Sequence, residues 1–290
     1  MTLKTQSLPP HILDIVRNKG TEQPFTGKYD SWDKPGTFLC RQCGLALFTS
    51  HSKFHSGCGW PSFDQEIKGA VLSQPDADGR RSEIICSRCQ AHLGHVFHGE
   101  HYTDKNTRHC VNSLSLDYVE DLSITDTEEA LFACGCFWGV EYYFKKLDGA
   151  LKTEVGYSGG HKDYPSYQEV CSGATGHVET IRIIYDPKKL SYEELAKYFF
   201  EIHDPVQADG QGPDIGSQYL SIVFYYDDHQ KKTAEKLIQI LQDKNKQDKN
   251  YKISTKILPA SIFWPAEKYH QDYYLKTGKS PYCHVYTKKF

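Results

Sequence analysis

Methionine is almost missing: Met1 is the only one in 290 residues. Sparing oxidisable thioethers suits a protein that works among oxidants. Long apolar runs are missing too, and no stretch holds 18 apolar residues in a row, which excludes a transmembrane helix. The first thirty residues carry prolines and charges but no apolar h-region of a secretory signal. Charge of one sign is also lacking. A net charge of −3 supplies no basic field for nucleic acid and none directed at a membrane. A soluble, cytoplasmic protein is expected, with neither nucleic acid nor membrane as partner. Cysteine is the exception, with ten residues. In a chain this long they do not read as a small secreted disulfide scaffold, so metal binding and thiol chemistry come first.

The length is comfortable for two domains, each able to bury its own core. Up to Asp117 the chain reads as short strands and turns, punctuated at Lys34-Pro35-Gly36, Gly57 to Pro61, Pro75 to Gly79, Gly94 and Gly99. Only Pro10 to Lys19 hints at a helix there. Residues 120–129 are acidic and poor in large apolar side chains, as a linker would be. Beyond them Ala130 to Ala133 is a short apolar run, and Gly139 to Leu147 has helical spacing. Val178 to Tyr185 alternates like a strand. Ser191-Tyr192-Glu193-Glu194 is a capping box, followed by a helix face of Leu195, Tyr198, Phe199 and Ile202. Leu220 to Tyr226 reads as a further strand, and Asp228 can cap a helix through Leu241, which runs out in a solvated stretch from Lys244 to Lys252. The expected organisation is a mainly β domain over 1–119, a linker over 120–129 and an α/β domain over 130–290.

Cys40-x-x-Cys43 and Cys86-x-x-Cys89 supply four thiolates in two turns. A two-residue spacer lets one turn present two sulfurs to a single tetrahedral ion, so structural zinc, one per chain, is expected. Four protein ligands leave no open position for catalysis. Six cysteines remain. Cys136 lies in Gly135-Cys136-Phe137-Trp138-Gly139, between an apolar strand and a helix, where unpaired N–H groups favour a thiolate. The helix dipole supplies only about 0.3–1 kcal/mol, less than one pKa unit. A further group must therefore help.

Gly135 through Gly139 resembles the nucleophile motif of A-type methionine sulfoxide reductases. The resemblance continues through Gly156-Tyr157-Ser158-Gly159-Gly160, Tyr167 to Gly173, Thr175 to Glu179, His203-Asp204-Pro205 and Gln211 to Tyr219, and covers Ala130 to Phe290. The first half is similar to the B type through Ser56 to Phe63, His92-Leu93-Gly94-His95-Val96-Phe97 and Arg108-His109-Cys110-Val111-Asn112-Ser113, over roughly Ile12 to Tyr118. The B type implies two antiparallel sheets with zinc; the A type implies a ferredoxin-like α/β plait.

Reducing a sulfoxide needs a thiolate to attack sulfur, an acid at the departing oxygen and an apolar pocket for the methyl group. In the A-type half the resemblance makes Cys136 the nucleophile, Phe137 and Trp138 the pocket wall, and Glu179 the acid. Tyr167, Asp214 and Tyr219 would hold oxygen or substrate. A carboxyl among apolar walls is raised in pKa and can donate near pH 7. In the B-type half Cys110 would be the nucleophile, with His92, His95 and Asn112 at the oxygen and Trp60 in the methyl pocket. Arg108 would favour the thiolate. Attack leaves a sulfenic acid that a second thiol condenses with. The resemblance makes Cys58 the partner of Cys110, and makes Cys283 the partner of Cys136 from a mobile tail, Pro281-Tyr282-Cys283-His284. Cys134 and Cys171 read as structural thiols, with Cys134 near enough to Cys136 to take part.

The expected substrate is methionine sulfoxide, free or in proteins, with thioredoxin as reductant and no organic cofactor. The A type takes the S epimer and the B type the R epimer, because each pocket suits one configuration at sulfur. Two rivals predict other features. A thiol peroxidase has no need of the Phe-Trp wall, and a non-enzymatic zinc module for nucleic acid predicts a basic face.

Overall fold

The computed structural model describes residues 7–290; Met1 lies outside the described residues. The chain forms two compact units that part between Glu128 and Glu129.

The first unit is mainly β. A six-stranded antiparallel sheet runs, edge to edge, Lys53–Phe54, Ser62–Phe63, Thr107–Val111, His92–His98, Ser82–Cys86 and Val71–Pro75. A smaller sheet holds Ala46–Thr49, Thr37–Cys40 and Leu116–Val119, also antiparallel. Phe38, Phe48 and Phe63 form the buried centre between them, with Phe48 and Phe63 stacked at 4.4 Å. The helix Pro10–Val16 begins on proline, whose fixed φ suits a first turn. It buries Ile12, Ile15 and Val16, one face at helical spacing.

Residues 120–129, expected as a linker from their composition, are largely tied to this first unit. Ile124 and Thr127 are buried. The Thr127 hydroxyl donates to the Gly44 carbonyl at 2.7 Å, and Arg88 donates to Asp126 and to the Thr127 carbonyl. These are side-chain bonds to and from neighbouring turns, which composition does not reveal.

In the second unit a six-stranded sheet has the order Lys256–Pro259, Ser221–Tyr225, Glu128–Cys134, Val178–Tyr185, Ala150–Ser158 and Trp264–Pro265. The helices Tyr192–Ile202 and Asp228–Lys244 contribute Leu195, Phe199, Phe200, Ala234, Leu237 and Leu241 to a core with Phe132, Ile181, Ile183 and Val223 of the sheet. Ser191 makes the expected capping box with Glu194. The later helix is capped one residue earlier than expected, by Asp227, whose carboxylate accepts from the Gln230 N–H at 2.8 Å. With two aspartates in succession, the residue left in extended geometry takes the cap. The Lys244 to Lys252 stretch is largely exposed, as expected of a solvated helix end.

Val178–Tyr185 is a strand over the expected residues, but all eight are buried. Its alternation therefore marks two covered faces rather than one wet face. Arg182 is accommodated there by Glu129 at 2.6 Å and Glu154 at 3.4 Å. Among the described residues no helix is long and apolar enough to cross a membrane.

Candidate active sites

In the first unit, Cys40 and Cys43 follow one strand and Cys86 and Cys89 another, and all four sulfurs lie within 4.8 Å of one another. Each pair sits in a turn of the same construction. The Gly44 N–H returns to the Cys40 carbonyl and the Gln90 N–H to the Cys86 carbonyl, at 2.7 and 2.9 Å. Both closing residues have positive φ, 72° and 62°. Closest sulfur separations are 3.6 Å, for Cys40–Cys89 and Cys43–Cys86. Four sulfurs about 2.3 Å from a central ion at tetrahedral angles stand about 3.8 Å apart. The cluster therefore fits a structural metal held by these four side chains.

Some distance along the same sheet, Cys110 lies on Thr107–Val111, flanked by His95 on one neighbouring strand and Ser62 on the other. Gly94 lets these strands close up: its φ is +153°, and an added Cβ would run into the Cys110 carbonyl oxygen. Cys58 sits in the loop opposite, 3.7 Å from Cys110, sulfur to sulfur. The Ser56 hydroxyl donates to Cys58 at 3.0 Å. The hydrogen bond from Cys110, with help from Ser56 and Ser62, outweighs burial and brings Cys58 down to about 4. The same contact, then burial, pushes Cys110 up, while Arg108 pulls it down. The two sulfurs titrate as one pair that gives up its first proton readily and holds its second.

A pocket of about 110 Å³ beside Cys110 is lined by Trp60, His95, Asn112 and Phe97, together with Thr21, Arg81 and Gly94. His92 is placed differently. Its Nδ1–H donates to Glu83 at 2.7 Å, it meets the His95 ring edge-on at 5.6 Å, and its Nε2 is buried without a hydrogen-bond partner. Burial lowers the His92 pKa. For Glu83 burial opposes ionisation, but hydrogen bonds from Lys19, Gln74 and His92 outweigh it and hold the carboxyl at about 2. His95 Nε2–H donates to Asp76 at 2.7 Å. The Asn112 side chain accepts from the Glu22 N–H and donates to the Leu93 carbonyl, so it also ties two segments together. Arg108 is clamped by Glu100 through two hydrogen bonds of 2.7 and 2.9 Å. Sequence reasoning does not single out Asp76, Glu83 or Glu100, because a carboxylate that orients a neighbour leaves no mark in a local motif.

In the second unit Cys136 is the N-cap of the helix Phe137–Phe144. Cys136, Asp214 and Cys283 bring their ligand atoms within 4.8 Å of one another. Glu179 is 2% exposed and accepts from the Phe137 N–H at 2.9 Å. Burial first, then the Cys136 and Asp214 charges, push its carboxyl well up; the Phe137 N–H opposes them. Tyr167 and Tyr219 are both raised, burial first and the Glu179 charge next among the charged groups they share. Phe137 is buried against Val155 and Tyr157, and half-buried Trp138 stacks on Tyr273 at 3.8 Å while donating to His270 at 3.0 Å.

Two expectations change here. A helix start should draw the Cys136 thiol down, but the hydrogen bond with Cys283, then burial, push it up, and only the Trp138 N–H pulls the other way. The tail, expected to be mobile, is docked. His284 Nε2 bonds the Cys134 carbonyl at 2.7 Å, and the Thr287 N–H donates to the Glu201 carbonyl at 2.7 Å. Tyr282 donates to Asp214 at 3.2 Å. The docked tail leaves Cys136 only 7% exposed. An open pocket of this unit, about 560 Å³, runs from Trp138 past Lys145 and Asp272 to Leu275, and Cys136 is not among its walls. Cys134 is buried in the aromatic core, and Cys171 is exposed.

Two separate pairs of apposed sulfurs, each beside oriented acid or imidazole groups, define a protein of thiol redox chemistry with a second, four-sulfur structural cluster. Residues 128–290 match the family described as Peptide methionine sulfoxide reductase, and residues 8–120 match the SelR domain, the B-type module. The chain belongs to the peptide methionine sulfoxide reductase family, as a fusion of the two modules. The second module is 45% identical over 155 residues to peptide methionine sulfoxide reductase MsrA of Nautilia profundicola, spanning 53% of this chain and 87% of that protein. For a counterpart in Thermus thermophilus the figures are 44%, 54% and 88%. Among solved structures, reduced Mxr1 from Saccharomyces cerevisiae is similar at 39% identity and a TM-score of 0.51, over 55% of this chain and 92% of that one. Methionine sulfoxide reductase A of Corynebacterium diphtheriae is similar at 34% and 0.51, over 54% and 77%.

Proposed function

We propose that the chain reduces both epimers of methionine sulfoxide, the S epimer at Cys136 and the R epimer at Cys110, in free methionine or in oxidised proteins. Methionine sulfoxide reduction is the activity of the family; the division between sites rests on having two thiol pairs in two unlike pockets. The observation that carries it is the apposition of each nucleophile with a second sulfur, Cys58 and Cys283. Cys136 attacks the sulfoxide sulfur, Glu179 gives its proton to the departing oxygen, and Tyr167, Tyr219 and Asp214 orient the substrate. Cys110 does the same with His95 and Asn112 at the oxygen, Trp60 against the methyl group, Arg108 favouring the thiolate and His92 positioning His95. Each sulfenic acid condenses with its partner thiol to a disulfide and water, and thioredoxin reduces the disulfide. Such a cycle suits the reducing cytoplasm.

The four-cysteine cluster would hold one zinc ion, which supplies structure and leaves no ligand position for substrate. The second module reads as a ferredoxin-like plait. Taken in chain order, its four long strands lie 4-1-3-2 across the sheet, with a helix after the first and another after the third. The modules are assigned to 1–119 and 130–290.

Thioredoxin-coupled turnover of the separated epimers tests the division. Cys136→Ser should abolish S-epimer reduction and spare the R epimer, and Cys110→Ser should do the reverse. One substitution silencing both epimers in a folded protein would refute it.

A further inference from the structure

His284 follows Cys283 in the tail and is buried against the nucleophile motif. Gly139 of Gly135-Cys136-Phe137-Trp138-Gly139 makes room for it: a Cβ there would strike His284 Nδ1, whereas one at Gly135 would strike the Gln211 side chain. The ring's two nitrogens are assigned by their partners. Nε2 lies 2.7 Å from the Cys134 carbonyl oxygen, which can only accept, so Nε2 carries the proton. Nδ1 then bears a lone pair, and it lies 3.1 Å from Cys283 Sγ. A nucleophile, a base within reach and a third group fixing the base's tautomer form the arrangement that activates thiols and hydroxyls elsewhere.

We propose that His284 is the general base that ionises Cys283 as it attacks the oxidised Cys136. The inference rests on the reading that Cys283 resolves Cys136. After the first step Cys136 carries Sγ–OH. Cys283 gives its proton to His284 Nδ1, and its sulfur attacks Cys136 Sγ. The S–S bond forms, the S–O bond breaks, and the departing hydroxide takes the proton held on His284 Nδ1 and leaves as water, which restores the neutral ring. Cys283 is oxidised and the sulfenic sulfur reduced, so no further oxidant is needed. Burial lowers the His284 pKa, while the Cys134 carbonyl and the Asp214 charge oppose it. The other titratable groups facing it are Cys283, His203 and the Tyr143 hydroxyl, which donates to the His284 carbonyl.

The test is a rapid-quench measurement of the Cys136–Cys283 disulfide in the full chain, after one equivalent of the S epimer, from pH 6 to 9.5. His284→Gln keeps a donor for the Cys134 carbonyl and removes the acceptor at Nδ1. An unaided thiol is only about 3% ionised at pH 7, so disulfide formation should slow by up to about thirtyfold there. The rate should recover towards the wild-type value near pH 9, as the thiol ionises unaided. A rate equal to wild type at pH 7, or an equal loss at every pH, would overturn the proposal. His284→Asn is read in the same way should His284→Gln release no methionine. Cys283→Ser distinguishes the two levels: undiminished thioredoxin cycling in that variant would sink the reading beneath the proposal. Lost cycling there, beside a wild-type rate in His284→Gln, would sink the proposal alone.

Discussion

The two units reach the same sulfur pairing by opposite means. In the first, Cys110 is fixed on an inner strand and Cys58 in a short loop, and the 3.7 Å separation is set by one sheet. In the second, Cys136 starts a helix while Cys283 comes from the far end of the chain, held by the docked tail. Both units pack aromatic rings at their centres, Phe38, Phe48 and Phe63 in the first and Phe132, Phe144, Phe199 and Phe200 in the second; the first adds four sulfurs gathered where two of its strands end. The lesson is that one pairing is built into a sheet, while the other depends on a tail that stays docked.

Metal removal should separate the units most strongly. Structural zinc contributes roughly 10–16 kcal/mol, against about 5–15 kcal/mol for the whole stability of a domain. Cys86→Ser, or a strong chelator, should unfold the first unit and abolish R-epimer turnover while S-epimer turnover persists. Circular dichroism and elemental analysis on the same samples check this. Folded, zinc-free protein with full R-epimer activity would break the comparison.

The proposed acids come next, one buried carboxyl for Cys136 and an imidazole network for Cys110. Glu179→Gln should lower S-epimer turnover by about 10²–10⁴-fold and leave the R epimer unchanged. Steady-state rates with each epimer decide it, and a fall of less than about threefold would remove Glu179 from proton transfer, well short of what such a group supplies.

The smallest effect is on stability against pH. His203 is fully buried, its ring between the Phe199 carbonyl and the Ser221 hydroxyl, and burial takes its pKa down to about 3. A neutral native histidine with a depressed pKa contributes stability that is complete above about pH 6.5 and declines down to about pH 3. The slope is at most about 1.4 kcal/mol per pH unit. The second unit should therefore weaken on acidification from pH 6 to 4, and His203→Gln should flatten that slope. Denaturant melts at three pH values provide the check; an unchanged slope would exclude His203 as its source.

Much of this is legible in the sequence where a residue's role is local. The capping box at Ser191, the strand Val178–Tyr185 and the paired Cys-x-x-Cys turns are all short-range patterns, and each is found at its expected residues. Roles that depend on packing are not legible from spacing. Glu179 alone would read as an edge carboxylate, yet the neighbouring strand and helix bury it. His92 and His95 look equivalent in the sequence, but His95 is among the pocket's walls, while His92 is buried beside it and donates to Glu83. Residues three apart on a regular strand would face opposite ways; the irregular register between Ile84 and Ile85 beside them offsets that alternation, and the two rings meet.

The docked tail has a consequence for how substrate is admitted. Cys283 and Tyr282 lie against Cys136 and Asp214, so on the proposed function the chain carries its own competitor at the site assigned to the S epimer. Such an internal ligand does not dilute away, and its occupancy is independent of protein concentration. Apparent affinity for sulfoxide falls in proportion to the fraction of molecules with the tail undocked, about tenfold for each 1.4 kcal/mol of docking. Each bond holding residues 284–289 to the second unit therefore slows the first reaction by occlusion and hastens the second by proximity, and their sum sets which step governs turnover.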